Sequence, residues 1–282
     1  MYSIEHKNVV ISISTADKRR NHIIAQFGQK QIPFEFFDAF TPSDRLDAHL
    51  QRYLPNVKAT SKLTAGEKGC LVSHFMLWKK CVGDNLDYIS IFEDDILLGE
   101  SAEQFLANDE WLKVRFNFQE IFVLRLETFL MPVQLEKQQQ ILPFQERNID
   151  ILKSKHFGTA GYIISNGAAK YLINLFENLA VDEVKAIDEI IFNEQINVGA
   201  YQVYQLNPAI CVQELQLNQE NSLLVSDLQQ ERKKNTAVHT KKTLKQRLIR
   251  VKENIIRALN KEKWKEQQHL KEMQGKEIVR FM

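Results

Sequence analysis

Ile89-Ser90-Ile91-Phe92 runs directly into Glu93-Asp94-Asp95. The β-branched and aromatic run reads as a buried strand. Three carboxylates at its end are costly there unless they meet solvent or a cation. Ligands of open α/β sheets sit at the carboxyl ends of strands. Oxygen donors suit Mg²⁺ or Mn²⁺, ions commonly held by one or two carboxylates together with substrate phosphates. The cluster therefore reads as a metal–diphosphate site, with a solvated acidic turn as the alternative.

The residues upstream weigh on that choice. Gly66-Glu67-Lys68-Gly69-Cys70 is followed by Ser73-His74, the aromatic Phe75, and then the apolar strand that ends in Glu93-Asp94-Asp95. This ordered set resembles the signature of glycosyltransferase family 25, and the resemblance extends over residues 9–213. That family includes bacterial lipooligosaccharide galactosyltransferases and related collagen-modifying enzymes. The resemblance implies a glycosyltransferase A-type fold: a Rossmann-like nucleotide-binding half joined to an acceptor-binding half. It also implies a UDP-sugar donor, most often UDP-galactose, a lipooligosaccharide acceptor and a β-linked, inverted product.

Residue roles follow from the same resemblance. Asp95 is expected to meet Mn²⁺ or Mg²⁺ directly, with Asp94 as a second ligand or ribose contact and Glu93 in support. Arg20 resembles an arginine of the first strand–helix connection that contacts the nucleotide, and Arg19 offers the same chemistry one residue away. Asp38-Ala39 resembles a nucleotide-contacting pair. Gly158-Thr159-Ala160-Gly161 is a small-residue segment that lets backbone approach a sugar closely. The base should be a carboxylate or histidine on another element. Asp188 resembles the isolated aspartate that follows the Gly-Thr-Ala-x-Tyr strand of the family, with Glu127 and Glu189 as reserves. Its plainer reading is a solvated residue of an acidic helix, since Asp182, Glu183 and Glu189 surround it.

Elements must position these groups. The pattern predicts strands at residues 9–13, 34–40, 89–92, 120–127 and 201–206, and helices at 15–27 and 64–82. Thr64-Ala65-Gly66-Glu67 reads as a capping box. On that helix Cys70, His74, Trp78 and Cys81 share one face, which suits the core. Residues 47–62 read as an irregular loop, and 134–155 as a loop or small hairpin. Ser165 is the expected N-cap of a helix to Leu179. Alternating strands and helices argue for an α/β fold with a mixed, mostly parallel sheet. No dinucleotide or P-loop glycine motif is present. Ser73 lies mid-helix without a G-x-S-x-G elbow, so a serine hydrolase is not expected.

Composition sets the remaining bounds. The 3 cysteines have no C-x-x-C spacing, which fits a reducing cytoplasm better than a disulfide framework. No secretory signal or membrane span is legible. The net charge of +1 hides an asymmetry: from Glu231 onward the chain carries 16 Lys or Arg against 6 Asp or Glu. Leu244, Leu248, Val251, Ile255 and Leu259 recur at helical spacing among those bases. Residues 1–228 are therefore expected to form the catalytic domain. Residues 229–282 are expected to form a basic amphipathic helical tail that rests on an anionic membrane surface. Packing of that stripe on the body is the alternative, and the scarcity of aromatics argues against nucleic acid. Oligomeric state is not legible. Two other classes compete: a metal-dependent phosphohydrolase, which gathers carboxylates and histidines around two metals, and a non-enzymatic binding protein.

Overall fold

The computed structural model describes residues 7–218 and 273–282. In chain order the elements are β1 (Asn8–Ser12), α1 (Asp17–Gln29), β2 (Glu35–Asp38), α2 (Asp44–Tyr53), α3 (Pro55–Ala59), α4 (Ala65–Gly83), β3 (Tyr88–Glu93) and β4 (Ile96–Leu98). Next come α5 (Ala102–Leu106), α6 (Glu110–Lys113), β5 (Phe122–Arg125), β6 (Glu127–Thr128), β7 (Pro132–Val133), β8 (Leu135–Glu136), β9 (Asn148–Leu152) and β10 (Gly161–Ser165). The chain continues through α7 (Asn166–Asn178), α8 (Ile187–Glu189), β11 (Gln202–Asn207), β12 (Cys211–Gln213), α9 (Glu214–Leu217) and β13 (Glu277–Ile278).

An eight-stranded sheet in the order β2-β1-β3-β10-β5-β11-β9-β8 forms the centre. Its strands alternate between two apolar layers, as a period of two requires. Val9, Ile11, Ile89, Ile91, Tyr162 and Ile164 face the layer of α4 and α7. Val10, Phe92, Phe122, Leu124 and Ile163 face that of α1, α5 and α6. A sheet covered on both faces gives the near-continuous apolar strands seen in the sequence.

The sheet is mixed and not mostly parallel, which corrects the expectation. β1 is parallel to β2 and β3, and β5 is parallel to β11. β10 is antiparallel to both its neighbours, and so is β9. The reason is the connection. A parallel neighbour needs a crossover of about a dozen residues, usually helical, whereas the chain between β5 and β10 holds only strands and loops.

One further expectation changes. Residues 47–62, expected to be irregular, fold largely into α2 and α3. Ser43 caps α2 by accepting the Leu46 N–H, and Leu46, Leu50, Leu54 and Val57 are buried. Their three- and four-residue spacing is a helical stripe masked by the charged residues between them. The segment 134–155, expected to be a loop or small hairpin, forms a hairpin of antiparallel β8 and β9 at the sheet edge. Likewise α4 starts with the expected capping box, Thr64 Oγ1 taking the Glu67 N–H and Glu67 reaching back to Thr64 N.

The expected tail helix lies mostly outside the described residues. Its last ten residues do not: β13 pairs with β7, Val279 is buried, Thr128 donates to the Val279 carbonyl at 2.7 Å, and Arg147 donates to the Met282 carbonyl at 2.9 Å. These residues pack on the body. No helix among the described residues is long and apolar enough to cross a membrane.

Gly69 gives the fold a sharp test. A Cβ there would lie 2.2 Å from the Phe40 carbonyl oxygen, an overlap with backbone that only movement of α4 relieves. Gly69→Ala should lower stability by about 2 kcal/mol, the usual scale of core overpacking, and thermal denaturation will show a drop of several degrees.

Candidate active site

The acidic cluster closes β3 where it lies beside β1. Asp94 is buried and fully engaged: the Ser12 hydroxyl donates to it at 2.7 Å, and Arg19 pairs with it at 2.5 Å. Burial works against the Arg19 charge, but Asp94, Asp95 and Glu93 together hold the guanidinium above its usual value. Arg20 turns elsewhere. It donates to the Ile13 and Ser12 carbonyls, both at 3.2 Å, and pairs with Asp38. The Ala39 N–H donates to the Ser12 carbonyl at 2.9 Å. Arg20, Asp38 and Ala39 therefore meet at the carboxyl ends of β1 and β2, and Ser12 links them to Asp94.

Asp95 is buried with weak support, since the Gln213 amide reaches its two oxygens only at 3.3 and 3.4 Å. Burial and the neighbouring Glu93 charge push its carboxyl up to about 7. A desolvated carboxylate of this kind, among hard oxygen donors, has the chemistry of a Mg²⁺ or Mn²⁺ ligand. Glu93 differs. Burial would raise it, but the His74 and Thr159 donors and Arg19 hold it below the usual carboxylate range.

A second group of charges gathers on residues 157–160. Arg125 on β5 and Glu127 on β6 form a buried pair at 2.5 Å. Arg125 also donates to the Phe157 and Gly158 carbonyls at 2.9 and 2.8 Å. Glu127 accepts the Ala160 N–H at 2.8 Å. The Thr159 hydroxyl donates to Glu93 at 2.7 Å. Asp188, half-buried on α8, accepts the Gly158 N–H at 3.1 Å. Each residue of the segment is thus bonded to a charged side chain. Gly158 has φ +83°, and a Cβ there would meet Glu127 Oε1 at 2.7 Å; a Cβ on Gly161 would meet Cys211 Sγ at 2.3 Å. Both glycines are required by these internal approaches.

Behind the cluster, Trp78 donates to the Tyr162 hydroxyl at 3.0 Å, and that hydroxyl lies 2.8 Å from His74 Nδ1. The indole can only donate, so the Tyr162 oxygen accepts from Trp78 and also meets Nδ1, while His74 Nε2 lies 3.7 Å from Glu93. His74 is fully buried. Cys70 Sγ, a ring nitrogen of His74 and a Glu93 oxygen lie within 4.8 Å of one another. The same-face spacing of Cys70, His74 and Trp78 predicted this side of α4, though not its facing the acidic cluster.

The structure brings Glu93, followed in the chain by Asp94 and Asp95, to Thr159 and Asp188 to the neighbouring Gly158, with Glu127 sealed beneath. Glu189 stands apart, paired with Lys155 at 3.6 Å. Sequence reasoning missed Ser12, Arg125 and Gln213. Only Arg125 carried a signal, as a charge inside an apolar strand. Its removal is informative: Arg125→Met should destabilise the protein by about 3–5 kcal/mol, because Glu127 is left buried without its counter-charge. Chemical denaturation measures this, and a loss below about 1 kcal/mol would refute the strapping role.

Comparison with known proteins bears on this geometry. Residues 5–191 match the family described as Glycosyltransferase family 25 (LPS biosynthesis protein). The lipooligosaccharide biosynthesis protein lex-1 of Haemophilus influenzae is 55% identical over 98% of this chain and 99% of its own. Two lacto-N-neotetraose biosynthesis glycosyltransferases of Neisseria gonorrhoeae, LgtE and LgtB, are 38% and 39% identical, each over 98% of this chain and 99% of theirs. With a family match over most of the chain and identity of this depth over almost its whole length, the protein belongs to glycosyltransferase family 25.

Proposed function

We propose that the protein transfers a hexose, galactose before glucose or N-acetylhexosamine, from a UDP-sugar to a lipooligosaccharide acceptor with inversion at the sugar carbon. The acceptor class comes from the names of the relatives. The observation that carries the reading is the placement of two unlike carboxylate sites on one rigid segment: the Glu93–Asp95 cluster through Thr159, and Asp188 through Gly158. Such a transfer needs the leaving diphosphate neutralised and the acceptor hydroxyl deprotonated from the opposite side, and those two tasks require separate groups.

On this reading a glycosyltransferase A-type fold presents the donor at the carboxyl ends of β1, β2 and β3. Asp95 is the chief ligand of Mn²⁺ or Mg²⁺, with Asp94 beside it. The ion, when bound, supplies Lewis-acid neutralisation of the diphosphate. Arg20, Asp38 and Ala39 hold the nucleoside, and Glu93, Gly158 and Thr159 border the sugar. Asp188 takes the proton from the acceptor hydroxyl. Its two N–H bonds, from Gly158 and Glu189, fix its orientation and leave lone pairs for that proton. Glu127 is a poorer base, because Arg125 and Ala160 occupy it and it is 1% exposed. The basic residues after Glu231 add attraction to an anionic, cytoplasm-facing membrane where a lipid-linked acceptor lies.

Four outcomes test the proposal. Asp95→Asn should cut transfer by at least about a hundredfold, and EDTA should abolish wild-type activity until Mn²⁺ is restored; full activity in EDTA would end the metal assignment. Asp188→Asn should leave donor affinity nearly intact and depress turnover by about 10²–10⁴, the general-base range, while normal turnover would move the role to another group. NMR of the product's anomeric proton should show a β linkage from an α-linked donor, and an α linkage would refute inversion. For the membrane, Lys241, Lys242, Lys245, Arg247 and Arg250 replaced together by Gln should abolish sedimentation with anionic liposomes and spare transfer to a soluble acceptor. Replacement is the right design, since truncation would also remove the packed residues 273–282.

A further inference from the structure

A cleft of about 320 Å³ opens beside Asp188. Phe157, Leu63 and Glu67 line it together with Asp188 and Glu189. Phe157 is a large aromatic left 38% exposed. Its backbone carbonyl is held by Arg125, and its ring meets Phe129 edge-on at 5.8 Å. The ring is thus an apolar surface on a fixed base. Glu67 is anchored by its capping bond to Thr64 N at 2.8 Å. An apolar wall with a few convergent oxygen acceptors suits a sugar, which packs its C–H face on an aromatic ring and offers its hydroxyls to carboxylates.

The charges narrow the sugar class. Lys62 and Lys185 also border the cleft, but their ammonium groups turn away, Lys62 to the Asp182 carbonyl and Lys185 to Glu194. Lys155 sits 4.6 Å from the Phe157 ring centre and pairs with Glu189. The cleft therefore presents carboxylate acceptors beside cations that already have partners, and a sugar acid or phosphosugar would have to draw one of those lysines from its carboxylate or carbonyl.

We infer that this cleft seats the terminal, neutral hexose of the acceptor, with Phe157 as its platform and specificity-determining residue and with a sugar hydroxyl directed at Asp188. The inference rests on the proposed transfer reaction and names the acceptor side of that same site.

Kinetics and binding test it separately. Phe157→Leu keeps apolar bulk and removes the flat ring. It should raise the acceptor KM about tenfold, the scale of one lost pocket contact, while the donor KM and acceptor-free UDP release stay within about twofold. Phe157→Tyr should restore the wild-type KM. Saturation-transfer NMR with UDP present but no donor sugar should detect methyl β-glycosides of glucose, galactose or N-acetylglucosamine on the wild type. Methyl β-glucuronide should give no signal. An unchanged acceptor KM in Phe157→Leu, equal losses in the Leu and Tyr variants, or equal binding of the glucuronide would overturn the cleft assignment. Failure of the wild type to release UDP from any UDP-sugar would overturn the transfer reading instead. Glycoside binding by NMR needs no turnover and distinguishes the two failures.

Discussion

The buried Arg125–Glu127 pair is the interaction on which the rest of the site depends. Taking two charges out of water is expensive, and their attraction offsets the cost only when the remaining donors and lone pairs also find partners. Here most of those partners are the backbone of residues 157–160, while Arg125 Nε is buried without a hydrogen-bond partner. The segment is thereby fixed from beneath, and its two free directions become useful: Thr159 reaches Glu93 on β3, and Gly158 receives Asp188 from α8. Groups from distant parts of the chain share one short frame. A shift in that frame would move both together.

This arrangement also explains the local sequence. Gly158 must adopt a left-handed conformation over Glu127, and Gly161 must clear Cys211. The small-residue run, read as room for a sugar, is equally the room that a buried carboxylate and a thiol demand. The two uses are compatible, because a backbone packed tightly below by glycine is also the one that stands rigid above.

How much of this was legible follows from the range of each interaction. The capping box at Thr64, the N-cap at Ser165 and the strand into Glu93 are local, and their residues lie within a few positions of one another. The shared face of His74 and Trp78 was legible for the same reason. What they face was not, since Tyr162 and Glu93 come from other strands. Arg19 and Arg20 are adjacent and chemically alike, and only the approach of β3 and of β2 to the two sides of β1 assigns Arg19 to Asp94 and Arg20 to Asp38. The direction of β10, the α2–α3 pair and the docking of residues 273–282 likewise depend on partners far away in sequence. The stripe of α2 was hidden because its few buried leucines stand among charges, and a short amphipathic helix looks polar on average.

The three consecutive carboxylates are distinguished by what already neutralises them. Asp94 has Arg19 and Ser12. Glu93 has Thr159 and the edge of His74. Asp95 has a distant amide and its own burial, and it is the one whose proton affinity rises. β3 ends at Glu93, and Asp94 and Asp95 form the turn into β4, so the three side chains meet different partners and one motif serves three environments without any residue changing type. Glu93 is spent on the frame and Asp94 on the link to β1, which leaves Asp95 as the carboxylate with an unmet demand for positive charge. That ordering supports the proposed role of the last aspartate by electrostatics alone, independently of family likeness. It also gives Arg19 a consequence: paired with Asp94, its guanidinium also interacts with Asp95 and Glu93 and lowers the local negative potential that three neighbouring carboxylates create.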